Sequence, residues 1–319
     1  MIKNLYINKK VIYLIQLLFK SLGRSLIMIK TLQVDFLSEN IRISGTVYLP
    51  ELYTIRSKMP GIILCQGFAA TKEMLLPAYA EKFAQNGYIV LAFDYRGFGN
   101  SGGEPGRLVP KLQIEDIKNA ISFLVSFDGI DANRIGLWGS SYGGANAIVA
   151  ASMDKRVKCL CVQLAFGDGE RCVTSSMTAE EIDKFKETLV KLRNKKEKTG
   201  KEMMVSLDKM LSDEQSKAFL QENIDRFPEL KIKIPFLTVS ETMNYKPEDY
   251  LKDLHIPVLF VGAENDLVNP VSETISLFEK ALEPKSLVVI KDAKHFDLYS
   301  DKHLKQSVSE QLSCFGKYL

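Results

Sequence analysis

The chain has 319 residues, 46% of them hydrophobic and 25% charged, which excludes a disordered tail, a collagen-like fibre and a disulfide mini-scaffold. Its 42 basic and 39 acidic side chains leave a net charge of +3, too even for a nucleic-acid binder. That length makes one large domain or two small ones, with enough core to need no metal or disulfide staple.

The charge is unevenly spread. Residues 1–30 carry six basic groups and no acid, so the rest of the chain holds 36 basic against 39 acidic groups. Val11–Phe19 is an apolar run of nine. A bilayer span takes about 20. Lys20 interrupts the place where the apolar core of a signal peptide would continue. Residues 1–27 are therefore expected to be a disordered extension, or to lie ahead of a true start at Met28. The alternative is an export signal or a membrane-surface anchor, the one case in which the chain would touch a membrane. Cys65, Cys159, Cys161, Cys172 and Cys314 are odd in number and contain no CxxC pair. Neither a disulfide framework nor a zinc site is expected, and the cytoplasm is the default location.

From Met28 onward, strand-like and helix-like stretches alternate. Thr31–Phe36 and Ile41–Tyr48 read as two strands around a turn at Ser38–Asn40. Gly61–Gln66 is a short apolar run of the kind found in buried parallel strands. Pro77–Asn86 reads as a helix closed by Gly87, and Tyr88–Phe93 as the next strand. Leu112–Phe127 is an amphipathic helix with Ile114, Ile117, Ile121 and Leu124 on one face. Arg134–Trp138 is a strand, Tyr142–Ser152 an Ala-rich helix and Val157–Phe166 another strand.

The pattern then changes. The 89 residues between Phe166 and Ile256 show few strand signals. Thr178–Arg193 carries a helical stripe of Ile182, Phe185, Leu189 and Leu192, and the basic run Lys191–Lys201 reads as a solvated face. This stretch, about residues 167–250, is expected to be an insertion of two to four helices. Alternation resumes with strand Ile256–Gly262, helix Val271–Leu282, strand Ser286–Ile290 and helix Asp301–Tyr318. Strands alternating with helices imply right-handed crossovers and a mostly parallel sheet, the opening pair forming an antiparallel edge.

Gly139-Ser140-Ser141-Tyr142-Gly143 matches G-x-S-x-G between a strand and a helix. That spacing serves a sharp turn that exposes the middle residue, Ser141, with glycines leaving room on either side. Ser140 fits no such register. A serine hydroxyl needs a base within hydrogen-bond reach, and the chain has three histidines. His255 stands at the entering end of a strand, and His303 lies among lysines on the last helix and is expected in solvent. His295 follows SLVVI at its carboxyl end, where the sites of open α/β sheets gather. The base needs a carboxylate to hold its tautomer. Asp266, in the loop after IPVLFVG, is the first choice, with Asp168 and Glu264 as alternatives; Asp292 and Asp297 are expected to cap the local turn. Backbone N–H groups of Tyr142 and Phe68 are expected to form an oxyanion hole. The loop Asp94–Gly106 contains G-F-G-N-S-G, but no helix opens at its glycines, so it is not a dinucleotide fingerprint. Asp94 and Arg96 are expected to brace that loop, and Trp138 to sit in the core.

Together CQGF, DYRGFGNSGG, GLWGSSYGG, VGAENDLVNP and AKHF resemble the α/β-hydrolase superfamily, from about residue 31 to the end. The D-Y-R-G-x-G-x-S-x-G run and the S-Y-G-G elbow are similar to the branch of dienelactone-hydrolase-like and X-Pro dipeptidyl-peptidase-like serine hydrolases. The order Ser141, Asp266, His295 is that of the superfamily. Two departures stand out. Gln66-Gly67 replaces the His-Gly common in the family, and the chain has no room for the β-rich domain of true X-Pro dipeptidyl peptidases. The resemblance implies an α/β-hydrolase fold for residues 28–319, with the insertion as a helical lid. It implies a serine hydrolase cleaving a carboxylic ester or thioester of a small acyl substrate through an acyl-enzyme, without cofactor or metal. A peptidase, amidase or acyltransferase using the same triad is the alternative, and a non-catalytic binding protein is the rival from another class.

Overall fold

The computed structural model describes residues 29–319, so the expectations for residues 1–27 and Met28 lie outside the described residues. Strands β1 (Lys30–Ser38) and β2 (Ile41–Leu49) form a hairpin paired from Lys30↔Leu49 to Ser38↔Ile41. Its two turn residues, Glu39 and Asn40, both take positive φ, the signature of a tight hairpin turn. β3 (Met59–Cys65), β4 (Ile89–Phe93), β5 (Ile130–Ser140), β6 (Val157–Gln163), β9 (Val258–Ala263) and β10 (Lys285–Ile290) follow. The strand order is β1-β2-β4-β3-β5-β6-β9-β10. Pairings β1–β2 and β2–β4 are antiparallel and the rest parallel, so the antiparallel edge falls where it was expected.

Alternation along β3 sends its side chains to two separate cores. Ile62 and Leu64 pack with Tyr79, Phe83 and Phe315, beneath helices α1 (Leu76–Gln85) and α10 (Asp301–Tyr318). Ile63 and Cys65 face the other way, toward α2 (Pro110–Val125), α3 (Tyr142–Met153) and α9 (Val271–Lys280), with Ile117, Ile121, Ile148 and Leu277 in that core. Burial on both faces explains why the central strands read as continuous apolar runs. Trp138 is fully buried and its indole N–H donates to Gln311 Oε1 at 2.9 Å. α10 also brings Cys314 against Cys159, with their sulfurs 3.5 Å apart. The order β4-β3-β5 means that the chain reverses its direction of travel across the sheet at β3. Open α/β sheets hold their sites at such a switch, beyond the carboxyl ends of the strands.

Between β6 and β9 the structure corrects the expected two to four helices. Five α-helices occur there among the described residues: α4 (Gly169–Val173), α5 (Ala179–Thr199), α6 (Leu207–Met210), α7 (Glu214–Asn223) and α8 (Thr238–Met243). A two-stranded antiparallel ribbon, β7 (Met204–Ser206) with β8 (Lys233–Pro235), joins them. Three-residue strands are too short to leave a period-2 pattern, and Pro235 argues locally against a strand. The long helix α5 begins with a Thr178–Glu181 capping box and ends at Gly200 in the left-handed region. Leu189 is the one buried residue on it, and the basic run that overlaps its end is largely exposed. No described helix is long and apolar enough to cross a membrane.

The glycine-rich loop after β4 is braced from within. Asp94 is completely buried and accepts from Lys72 Nζ and Lys72 N–H at 2.7 Å each, and from Asn100 N–H at 3.0 Å. A Cβ at Gly99, where φ is +52°, would stand 2.3 Å from the Asp94 carboxylate. Arg96 reaches Asp116, Glu39 and Ser38 and fastens α2 to the edge hairpin.

Candidate active site

β5 runs straight into α3 with Ser141 between them at φ 56° and ψ −126°. A side chain held in that sparsely populated region marks a functional turn more often than an accident. The packing leaves only glycine possible beside it: a Cβ on Gly143 would lie 2.1 Å from Cys65 O and 2.2 Å from Gln66 O. Ser141 N–H donates to Gln163 O at 2.9 Å, tying the elbow to β6.

His295 and Asp266 arrive from the carboxyl ends of β10 and β9. His295 Nδ1 lies 2.7 Å from Asp266 Oδ2, and both side chains are almost fully buried. The second carboxylate oxygen accepts the N–H groups of Val268 and Asn269 at 2.8 and 2.9 Å, which fixes the plane of the carboxylate. Ser141 and His295 line the same cavity. Ser141 Oγ accepts a hydrogen bond from Asn269 Nδ2 at 3.3 Å, and no hydrogen bond joins it to His295 among the described residues. Catalytic hydrogen bonds are commonly long before substrate binds and tighten in the complex.

The loop after β3, expected to supply one oxyanion donor, passes beside the elbow. Gly67 passes so close that a Cβ on it would be 3.3 Å from Ser141 Cβ. Phe68 N–H, next along, has no hydrogen-bond acceptor among the described residues, and Tyr142 N–H is at the first position of α3, where no intrahelical acceptor exists. The rings of Phe68 and Tyr142 meet edge to face with centroids 5.6 Å apart.

The alternatives go elsewhere. Asp168 caps α4 and pairs with Lys246 Nζ at 2.7 Å. Burial disfavours its charge, but Lys246 and the helix N–H groups outweigh that and lower its pKa. Glu264 is exposed and accepts from Asp292 N–H at 2.9 Å, and Asp297 accepts from Lys294 N–H at 2.9 Å. His255 is exposed. The expectation of a solvated His303 is corrected: it is half-buried and its Nε2 is covered, without a partner among the described residues. Positions 303, 307 and 311 stand one helical turn apart, and Ser307 and Gln311 are fully buried, so α10 turns His303 toward the packed side.

Several residues were not legible as site residues in the sequence. Gln215 on α7 accepts from His295 N–H at 3.0 Å and from Leu267 N–H at 3.4 Å, and donates to Asn265 O at 2.7 Å. One side chain thus clamps the loops carrying His295 and Asp266. Phe219, one turn on, stacks on Phe296 with centroids 4.2 Å apart. Asn269 holds Ser141 Oγ and Leu164 O. Ser140 Oγ joins Tyr299 OH and accepts from Gln163 Nε2, and Gln163 accepts in turn from Ser307 and Gln311. This buried network supports the elbow from behind. A lone Gln or Asn carries no spacing rule that would have announced it.

Two cavities meet at Ser141. The narrower, about 70 Å³, also has Gln66, Ser216 and His295 on its walls; the wider, about 370 Å³, has Tyr142, Phe166 and Asn269.

A family model described as X-Pro dipeptidyl-peptidase (S15 family) matches residues 39–297. An uncharacterized 31.7 kDa protein of the traX-finO intergenic region of Escherichia coli is 44% identical over 263 residues, 82% of this chain and 92% of its own length. Thiohydrolase aneE of Aspergillus aculeatus is 31% identical over 284 residues, 83% of this chain and 86% of its own length. The solved structure of the alpha/beta hydrolase GrgF from Penicillium sp. sh18 shares the fold with a TM-score of 0.74 at 21% identity, covering 91% of this chain and 99% of that one.

Proposed function

The chain belongs to the X-Pro dipeptidyl-peptidase (S15) family and has the α/β-hydrolase fold, and from that premise we propose that it is a serine hydrolase cleaving an ester or thioester. The observation that carries this is the buried 2.7 Å contact of His295 Nδ1 with Asp266 Oδ2, on the wall of the cavity that Ser141 enters from a strained turn. A relative named thiohydrolase supports the choice of bond.

Asp266, with one oxygen fixed by two backbone N–H groups, keeps the proton of His295 on Nδ1. Nε2 is then free to act as base. Ser141 Oγ leaves Asn269, gives its proton to Nε2 and attacks the acyl carbon. The N–H groups of Phe68 and Tyr142 take the developing oxyanion. His295 returns the proton to the departing heteroatom, and water then resolves the acyl-enzyme by the same route. The segment between β6 and β9 acts as a lid in this reading, which is supported by Leu207, Leu211 and Phe219 lining the narrower cavity together with Ser141.

Hydrolysis of p-nitrophenyl esters from acetate to palmitate, and of matched thioesters, tests this with wild type and Ser141→Ala. Loss of the nucleophile is expected to lower kcat by about 10⁴–10⁶-fold. Turnover of Xaa-Pro p-nitroanilides with no ester or thioester turnover would replace this reading with the peptidase one.

A further inference from the structure

Independently of the hydrolase reading, we propose that Cys159, Cys161 and Cys314 form a binding site for a soft metal ion, Cu(I), held by three sulfurs. Cys159 and Cys161 are alternate residues of β6, so both point to one face of the sheet, the face that α10 covers. Cys314 reaches the same place from α10. The sulfurs of Cys159 and Cys314 are 3.5 Å apart, and all three sulfurs lie within 4.8 Å of one another. Alternate residues of a strand stand about 6.6 Å apart along the backbone. The two β6 side chains therefore lean toward each other instead of standing parallel. Cysteines used only as small core residues need no such convergence.

The spacing fits an ion at the centre of the triangle. Metal–thiolate bonds of about 2.3 Å in a planar threefold arrangement place the sulfurs about 4 Å apart, inside the observed range. No histidine or carboxylate joins the group among the described residues. Structural zinc takes four ligands, whereas a set made of soft thiolates alone suits Cu(I). Cys159 and Cys161 are fully buried in an apolar core with Tyr88 and Phe315, while Cys314 is only half-buried and leaves a way in. Cu(I) would replace the thiol protons, which leave to solvent, with no change of oxidation state. Lys317, one turn beyond Cys314, bears on the negative charge that remains. Cys159 is at the third position of β6, whereas the catalytic loops gather at the carboxyl ends of the strands, so this site stands apart from Ser141. No spacing rule joins positions 161 and 314, which is why the cysteines do not announce the site in sequence.

The test titrates the reduced full chain with Cu(I) in the absence of oxygen, in competition with the chromogenic chelator bicinchoninate. Wild type is expected to take one Cu(I) per chain from the chelator, with a thiolate-to-copper ultraviolet band. The fluorescence of Trp138, the only tryptophan and the register partner of Cys161 across β5 and β6, should be quenched in step. Cys314→Ser and Cys161→Ala should each weaken binding by about 100-fold or more, beyond what loss of an outer hydrogen-bond partner costs. Cys172→Ser, outside the cluster, should not. Melting temperatures report whether the variants are folded, and Cys314→Ser, at a half-buried position, stands in if Cys161→Ala is not. The assignment is overturned if wild type holds no Cu(I) against the chelator, if binding survives both cluster variants, or if Zn(II) is bound and Cu(I) is not. A Cys159–Cys314 disulfide formed in air, with no Cu(I) uptake by the reduced chain, would make the pair a redox site instead. Ester turnover plays no part in these readouts, so this assignment and the hydrolase reading stand or fall separately.

Discussion

Ser141, His295 and Asp266 stand out as candidates one residue at a time because each obeys a rule that sequence exposes. Glycines bracket the first, and the carboxyl ends of predicted strands precede the other two. Gly143 shows how strict that bracket is. With two carbonyl oxygens about 2 Å from any added Cβ, Gly143→Ala must displace β3 or α3. It is expected to destabilise the fold by about 1–3 kcal/mol and to abolish activity, read by thermal melting and ester turnover. An active, equally stable variant would mean that the elbow tolerates a wider turn. Gln215 and Asn269 were not legible in this way. Their importance lies in what they touch in three dimensions, and a lone amide side chain reads the same in sequence whatever it bonds.

At the scale of the element, α7 ties two loops of the candidate site together. Gln215 holds both the His295 and the Asp266 loops, and Phe219 stacks on the residue after His295. Removing the clamp leaves the substrate cavities largely lined as before but frees the base to wander. Gln215→Ala is therefore expected to lower kcat by about 10–100-fold with KM little changed, because small misplacements of a catalytic group are expensive. Gln215→Glu keeps the acceptor for His295 N–H and should recover part of the loss. Equal effects on kcat and KM would point to substrate contact instead. Sequence indicated that an insertion existed and that its longest helix carried an apolar stripe. It could not indicate the β7–β8 ribbon or the docking of α7, because three-residue strands have no period and the contacts of a short helix are long-range.

For the molecule as a whole, the sheet was legible almost throughout, since strands buried on both faces announce themselves as apolar runs and helices by their stripes. What held the insertion to the body was not. Glu248 and Glu273 are nearly buried, and both pair with Arg171 from α4, Glu248 also with Lys280 from α9. Burial opposes the charge of Glu248, but Arg171 and Lys280 prevail and its pKa is lowered from 4.5. A carboxylate with a lowered folded pKa stabilises fully above its unfolded value, and that contribution is lost as pH falls below it. Urea melts of wild type and Glu248→Gln should therefore differ at neutral pH, the difference shrinking as pH falls below about 4.5 and vanishing only below the lowered folded pKa. A constant difference across that range would show that the network does not couple to folding.

The central claim is that Ser141 carries the acyl group, with His295 as its base. Its most direct measurement is rapid quenching of wild type and His295→Ala with a thioester, followed by peptide mass mapping. The account predicts an acyl increment on the peptide bearing Ser141 in wild type, formed far more slowly in His295→Ala. Turnover by wild type with no adduct on Ser141, or with the adduct on another residue, would contradict it.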